Sequence, residues 1–360
     1  MKSSLPLLPL PPSVQLESAP ILKCLVQAHR RLAELKGAVT AIPNEEILID
    51  TLSLREAKDS STIENIITTE DELFQADAVG GTFQTPAAKE VHSYAAALKV
   101  GFRHVRKEGV IRLKHILEIQ ATLVENRAGL RKLPGTVLKN SNTGAVVYEP
   151  PQDSAEIERL MGNFVEHMNR DEAGDPDPLI RMAILHYQFE SIHPFYDGNG
   201  RTGRILNLLH LVQHRLLDLP VLYLSSYIVR HKEAYYSGLQ AIREKEDWEG
   251  WILFMLMAIE ATALETLITV QHIKNLIAET KLRLRTELPG IYSQDLLNNL
   301  FRHPYTRIEF VARDLRVVRL TATKYLEAMA KAGIVEKLKI GRNSYYVNVP
   351  LFRLLSGPAA

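Results

Sequence analysis

The chain has 360 residues, 46% hydrophobic and 24% charged, with a formal net charge of +1 at pH 7. A chain of that size and composition can bury a sizeable core and divides into two or three domains. Near-neutral charge argues against a surface governed by attraction to nucleic acid or membrane, although local patches remain open.

Residues 1–17 form a proline-rich N-terminal arm. Met1 to Pro12 carries one lysine and several leucines, as a signal peptide would. Its prolines at positions 6, 9, 11 and 12 break a helical h-region and predict an extended, polyproline-like arm instead. Cys24, the single cysteine, cannot close an internal disulfide, which suits a reducing cytosol. It sits among Ile21, Leu22, Leu25 and Val26, as a small buried hydrophobe does. A cytoplasmic location is expected.

Residues 18–110 predict an N-terminal helical region punctuated at Gly37, Pro43, Gly80-Gly81 and Pro86. Within it, Ser60 and Glu64 lie one helical turn apart and share a face; taken alone, this is an ordinary helix with a solvated glutamate. Residues 111–265 follow as a mainly helical core. Leu133–Leu138 and Ala145–Pro151 are β-prone runs joined by Lys139–Gly144, the signature of a hairpin. Leu179–Ile192 is apolar around most of a helix's circumference and Ile205–Leu217 nearly so, so both helices are expected to be buried.

A long helix is predicted over about 249–284, with residues 266–290 leading away from the core. Its apolar run Trp251–Ile259 is closed by Glu260, well short of the about 20 residues a bilayer requires, so no membrane partner is expected. Residues 291–356 predict helices at Tyr292–Leu300, Arg307–Leu315 and Thr321–Ala332, then strands at 333–338 and 343–348 around Gly341. That order is a small winged helix-turn-helix domain. Arg319–Tyr325 would open its recognition helix, and Lys339 and Arg342 would decorate its wing, where such residues can hold DNA phosphates. Asp314, Glu327 and Glu336 dilute that field. Such modules also contact proteins or pair copies of a chain, so DNA and protein both stay open as partners, and a homodimer is the expected assembly.

The densest chemistry lies between the two apolar helices, in His193-Pro194-Phe195-Tyr196-Asp197-Gly198-Asn199-Gly200-Arg201-Thr202-Gly203-Arg204. A glycine-rich turn opening a helix presents free N–H groups where the dipole favours anions. Gly198 and Gly200 allow close approach of the backbone, with Asn199 tolerating a left-handed conformation between them. Arg201 and Arg204 add guanidinium forks that suit phosphate. Asp197 would repel a phosphate unless a cation such as magnesium lay between them. His193, with an ordinary pKa of about 6.5, is suited to general-base work.

This segment matches each defined position of the Fic signature, His-x-Phe-x-Asp/Glu-Gly-Asn-Gly-Arg-x-x-Arg, and the chain resembles Fic protein adenylyltransferases. The resemblance implies a Fic-type helical core in a mainly α protein, with the hairpin as a flap that aligns a target segment by main-chain bonds. It implies that His193 deprotonates a hydroxyl of a target protein, Phe195 anchors the loop, and Asp197 holds Mg2+. Gly198, Asn199, Gly200, Arg201, Thr202, Gly203 and Arg204 would bind the ATP phosphates, and Tyr236 would border the adenine. Relatives resembling the Doc toxin carry lysine at the place of Gly200 and act as kinases, so glycine there favours transfer of AMP. Ser60-x-x-x-Glu64-Asn65 resembles the family's inhibitory motif, whose glutamate would pair with Arg204 and occupy the place of the γ-phosphate. A glutamate so close to the loop could also position water and remove AMP. The competing reading is a DNA-binding regulator whose nucleotide site senses ATP.

Overall fold

The computed structural model describes residues 7–14, 16–79, 83, 85–140, 143–340 and 343–356. Five helices come first: α1 (Ala19–Val39), α2 (Glu45–Ile63), α3 (Glu70–Val79), α4 (Pro86–Glu108) and α5 (Leu113–Val124). The hairpin β1 (Leu138–Lys139) and β2 (Val146–Tyr148) precedes α6 (Ser154–Asn169), α7 (Pro178–Ile192) and α8 (Asn199–Gln213). Next come α9 (Leu224–Arg230), α10 (Lys232–Lys245) and the 40-residue α11 (Trp248–Glu287). The C-terminal part holds α12 (Gln294–Arg302), β3 (Tyr305–Thr306), α13 (Ile308–Leu315), α14 (Arg319–Lys331), β4 (Glu336–Ile340), β5 (Asn343–Val347) and α15 (Val349–Ser356). The protein is mainly α, as expected.

Helix starts follow their capping residues. Ser18, Asn44, Thr85, Asp153 and Asp177 each accept a backbone N–H of the first turn with the side chain, satisfying donors that would otherwise be orphaned. The centre is the α7–α8 pair. Every residue from Leu179 to Ile192 is buried, which explains why the sequence there has no polar face. Helix α4 crosses α8 closely at Gly101, where a Cβ would fall on Leu209 Cδ1 and lie 2.9 Å from Ile119 Cδ1. Both neighbours are fully buried and cannot swing out to solvent. Gly101→Ala is therefore expected to destabilise the fold, because overpacking of about 1–3 kcal/mol exceeds the gain of about 1 kcal/mol in helix propensity. A lower urea midpoint at unchanged m-value checks this; an unchanged midpoint would show that the two side chains yield.

Several expectations are corrected. Gly37 lies inside α1 rather than ending it. The flap strands are shorter than the β-prone runs, because Pro134 and a positive-φ Gly135 interrupt the first and Pro150-Pro151 end the second. Among the described residues, α11 is long and apolar enough to cross a membrane by length and composition; Glu260 does not end the apolar stretch. Half of its most apolar window is buried within the fold, as in a core helix.

In the C-terminal part, α12, α13 and α14 precede the β4–β5 hairpin, and β3 pairs with β5 to give the order β3-β5-β4. Helix α15 follows, and the sequence pattern missed it. This part touches α2 directly: Arg302 Nε bonds Asp50 Oδ2 at 3.0 Å, and Lys99 of α4 holds Asp50 Oδ1 at 2.6 Å. Residues 1–6 of the arm, Gly80-Gly81, the hairpin residues Ser141 and Asn142, and the wing residues Gly341 and Arg342 lie outside the described residues.

Candidate active site

Helix α7 ends at His193, which adopts a left-handed conformation (φ 48°, ψ 58°). Such a conformation is uncommon for a residue with a side chain and tends to persist where function requires it. Phe195, fully buried, pins the turn into the core. The Asn199 side chain closes the turn by accepting the Phe195 N–H and donating to the Phe195 carbonyl, both at 2.8 Å. Asn199 is thus an internal brace and the first residue of α8; the left-handed residue is Gly198, at φ 75°. Burial, reinforced by the Arg131 charge, lowers the His193 imidazole pKa to about 4. The ring is therefore neutral at pH 7, the form a base requires.

Arg204 donates from Nη2 to Glu64 Oε1 at 2.8 Å and to the Ser60 carbonyl at 2.9 Å, and from Nε to Ser60 Oγ at 2.7 Å. Arg201 donates from Nε to Glu64 Oε2 at 3.0 Å and from Nη1 to Glu90 Oε2 at 2.7 Å. Glu64 thus bridges both arginines, which are 2–3% exposed. It does so from the C-cap of α2 (φ −93°, ψ 16°), just before Asn65 turns left-handed at φ 64°. Ser60 and Glu64 face the same arginine, but Glu64 terminates the helix rather than lying within its last turn. A guanidinium suits that end of the helix dipole, whereas a carboxylate there is unfavourable unless cations compensate.

Gly200 makes this packing possible, since a Cβ there would stand 2.5 Å from Glu64 Oε1 and 2.9 Å from Arg204 Nη1. The Thr202 and Gly203 side-chain positions turn inward. Thr202 is fully buried with its N–H bonded to the Gly198 carbonyl, and a Cβ on Gly203 would lie 2.9 Å from Glu190 Oε1. Neither adds a side chain to the open face of the loop. Tyr236 is half exposed and packs edge-on against the buried Tyr235.

Three acidic residues around Arg201 and Arg204 escaped sequence reasoning. Glu90 comes from α4 and Glu190 from α7, and Glu56 on α2 bonds Ser225 and Tyr94. Burial raises the Glu190 pKa to about 7 and the Glu56 pKa to about 8. Only Glu190 carries a sequence signal, a carboxylate placed inside an apolar helix.

Asp197 stands at the mouth with its side chain 72% exposed. Its contacts to the Gly198 N–H (2.6 Å) and to Arg201 (3.5 Å) both fall on Oδ1. A hard oxygen donor of this kind fits magnesium, which is bound through one or two carboxylates and phosphate oxygens. Elsewhere, His104, Glu108 and His115 lie close together. The two imidazoles are stacked nearly parallel, 4.2 Å between centroids at 7°, so their in-plane lone pairs do not converge on one ion.

The Fic/DOC family N-terminal profile matches residues 22–103 and the Fic/DOC family profile matches residues 110–211. The profile of the C-terminal domain of SoFic-like protein adenylyltransferase matches residues 276–351. A protein from Aedes aegypti named Protein adenylyltransferase Fic is 30% identical over 174 residues, 48% of this chain and 33% of that protein. One from Caenorhabditis elegans, protein adenylyltransferase fic-1, is 38% identical over 77 residues, 21% of this chain and 14% of that protein. The chain thus spans about a third or less of these relatives' length. Among solved structures, a Fic family protein from Desulfovibrio desulfuricans G20 superposes with a TM-score of 0.61 at 19% identity, covering 94% of this chain and 98% of that one. Fic-1 from C. elegans superposes with a TM-score of 0.52 at 19% identity, over 70% and 73%. Both likenesses are of fold.

Proposed function

Because the chain belongs to the Fic/DOC family, we propose that it is a protein adenylyltransferase that transfers AMP from ATP to a serine, threonine or tyrosine hydroxyl of a target protein and to its own chain. The observation that carries this reading is the pair of buried arginines bridged by one carboxylate: a guanidinium fork filled by Glu64 is the same fork that accepts a phosphate.

In the proposed reaction, neutral His193 takes the proton of the acceptor hydroxyl. The resulting oxygen bonds to the α-phosphorus, the bond from that phosphorus to the β-phosphate bridge breaks, and pyrophosphate leaves. Arg201 and Arg204 bind the outer phosphates, with the first N–H groups of α8 as further donors. Asp197 would hold magnesium, which supplies charge neutralisation on the phosphates. Lysine in place of Gly200 would collide with Glu64 and Arg204, so this autoinhibited packing and the AMP-transferring form of the family go together. Glu64 keeps the resting enzyme mostly inactive.

For the C-terminal part we favour a winged helix that contacts protein. Arg319 is paired with Glu309 at 2.6 Å, and the start of α14 exposes Val318 (69%) and Leu320 (83%), a poor surface for DNA phosphates.

The test is intact-mass analysis of Glu64→Gly after incubation with ATP and magnesium, alone and with lysate. An AMP increment is expected, lost in EDTA and in Asp197→Ala. A phosphate increment instead would make the protein a kinase, and full transfer in EDTA would remove the metal from Asp197.

A further inference from the structure

Residues 131–133, which lead into the flap, are bonded to the catalytic turn at four points. Arg131 Nε donates to the His193 carbonyl at 2.8 Å and its backbone N–H to the Pro194 carbonyl at 2.8 Å. The Tyr196 hydroxyl accepts the Lys132 and Leu133 N–H groups at 2.9 and 3.1 Å. Arg131 is fully buried, and Nη2 reaches the Ile192 carbonyl at 3.3 Å and also bonds the Pro151 carbonyl, on the segment leaving the flap. Among the described residues it has no carboxylate partner; its acceptors are carbonyls, two of them at the end of α7, where a helix leaves its carbonyls unpaired.

The flap's two ends are also tied to each other. Gln152 accepts the Gly135 N–H at 2.7 Å and donates to the Thr136 carbonyl at 2.9 Å. Tyr148 of β2 is buried beneath Arg243, 4.0 Å from guanidinium carbon to ring centroid. Between these anchors the flap is two strands of two and three residues, with no third strand beside either among the described residues. So short a hairpin has little stability of its own, and its position relative to the catalytic turn depends on what holds its base.

Tyr196 occupies an undefined position of the loop motif and is 51% exposed, so neither the motif nor core packing requires a tyrosine there. Its hydroxyl supplies what a phenylalanine would lack: one acceptor for two adjacent flap N–H groups. We infer that Tyr196, together with Arg131, is a positioning residue that fixes the register of the flap against His193, and through the flap the placement of the acceptor segment. The inference rests on the adenylyltransferase reading and deepens it: the acceptor is a chain segment in extended form, aligned on a flap whose height and register the catalytic turn itself sets.

The test is Tyr196→Phe in the Glu64→Gly background, a change that removes one exposed oxygen and leaves the ring. The acceptor probe is a silent copy of this chain carrying Glu64→Gly and His193→Ala. Hydrogen exchange of the peptide covering Lys132 and Leu133 is expected to quicken by about tenfold. The KM for the acceptor copy should rise by about tenfold or more, since misplacement of reacting groups can cost up to about 10²; the KM for ATP should stay within about twofold. Unchanged exchange would overturn the inference, as would faster exchange with an unaltered acceptor KM. A parallel rise in the KM for ATP would also overturn it, placing Tyr196 in the nucleotide site. If the Glu64→Gly parent transfers no AMP to any protein, the enzymatic reading falls and the positioning role with it, while exchange still measures the contact itself. Arg131→Lys, which keeps the charge and loses the fork, should move both readouts in the same direction.

Discussion

In the Glu64→Gly background, His193→Ala is expected to lower the rate of AMP transfer by about 10² to 10⁴, the usual cost of a lost general base, and to leave ATP affinity nearly unchanged. The two effects separate because the imidazole lies outside the Arg201–Arg204 fork that would hold the phosphates. His193 also caps α7 in a left-handed conformation, which alanine adopts less readily. His193→Asn is the matched control, tolerating that backbone without providing a base. Initial rates with α-labelled ATP and nucleotide affinity by calorimetry check both variants; transfer near the parent rate in either would remove His193 from the chemistry. Because the ring's pKa is held near 4, the base is already unprotonated at neutrality. Its loss by protonation comes only as pH falls through that value, so the rate should show no histidine limb between about pH 6 and 8.

Glu64→Gly alone is expected to raise AMP incorporation by on the order of 10². With the carboxylate present, both guanidinium groups face it at 2.8 and 3.0 Å, so in the proposed mode of inhibition ATP would enter with its outer phosphates displaced from the line of attack. Arg204→Ala should not mimic the gain, since it removes the inhibitory contact and a phosphate contact together, and it should lower activity even beside Glu64→Gly. Comparing initial rates of wild type, both single variants and the double variant decides this. A Glu64→Gly rate at or below wild type, with circular dichroism unchanged, would make the end of α2 a purely structural cap.

The loop was legible because its chemistry is local: Phe195, Asp197, Gly198 and Asn199 build one turn whose partners are each other. Glu64 was legible through the resemblance of Ser60-x-x-x-Glu64-Asn65 to the inhibitory motif, and its helical spacing from Ser60 misplaced it slightly, since a helix pattern does not mark where the helix stops. Glu90 and Arg131 were invisible. Each sits in a segment with no motif, and only the crossing of α4 over α8 and the return of the flap bring them to the turn. Tyr196 stood in plain view at an undefined motif position, but the use of its hydroxyl depends on backbone 63 and 64 residues away. Helix α15 was missed because its eight residues, with Pro350 in the first turn, give too short a period to register. The flap runs were overextended because β-prone side chains were weighed above the proline and glycine that break them.

The twin clasp of Glu64 has one more consequence. In this conformation neither arginine is bare: Arg201 faces Glu64, Glu90 and Asp197, and Arg204 faces Glu64. Nucleotide entry in the proposed reaction is then an ion exchange, one anion leaving as another arrives. Without Glu64, Arg201 would still face Glu90 and Asp197, but a bare, buried Arg204 would draw ATP from a distance. An exchanger instead presents a nearly neutral mouth, so capture of ATP by the resting protein should depend little on ionic strength, whereas a variant with Glu64 removed acquires the salt sensitivity of an open cationic site.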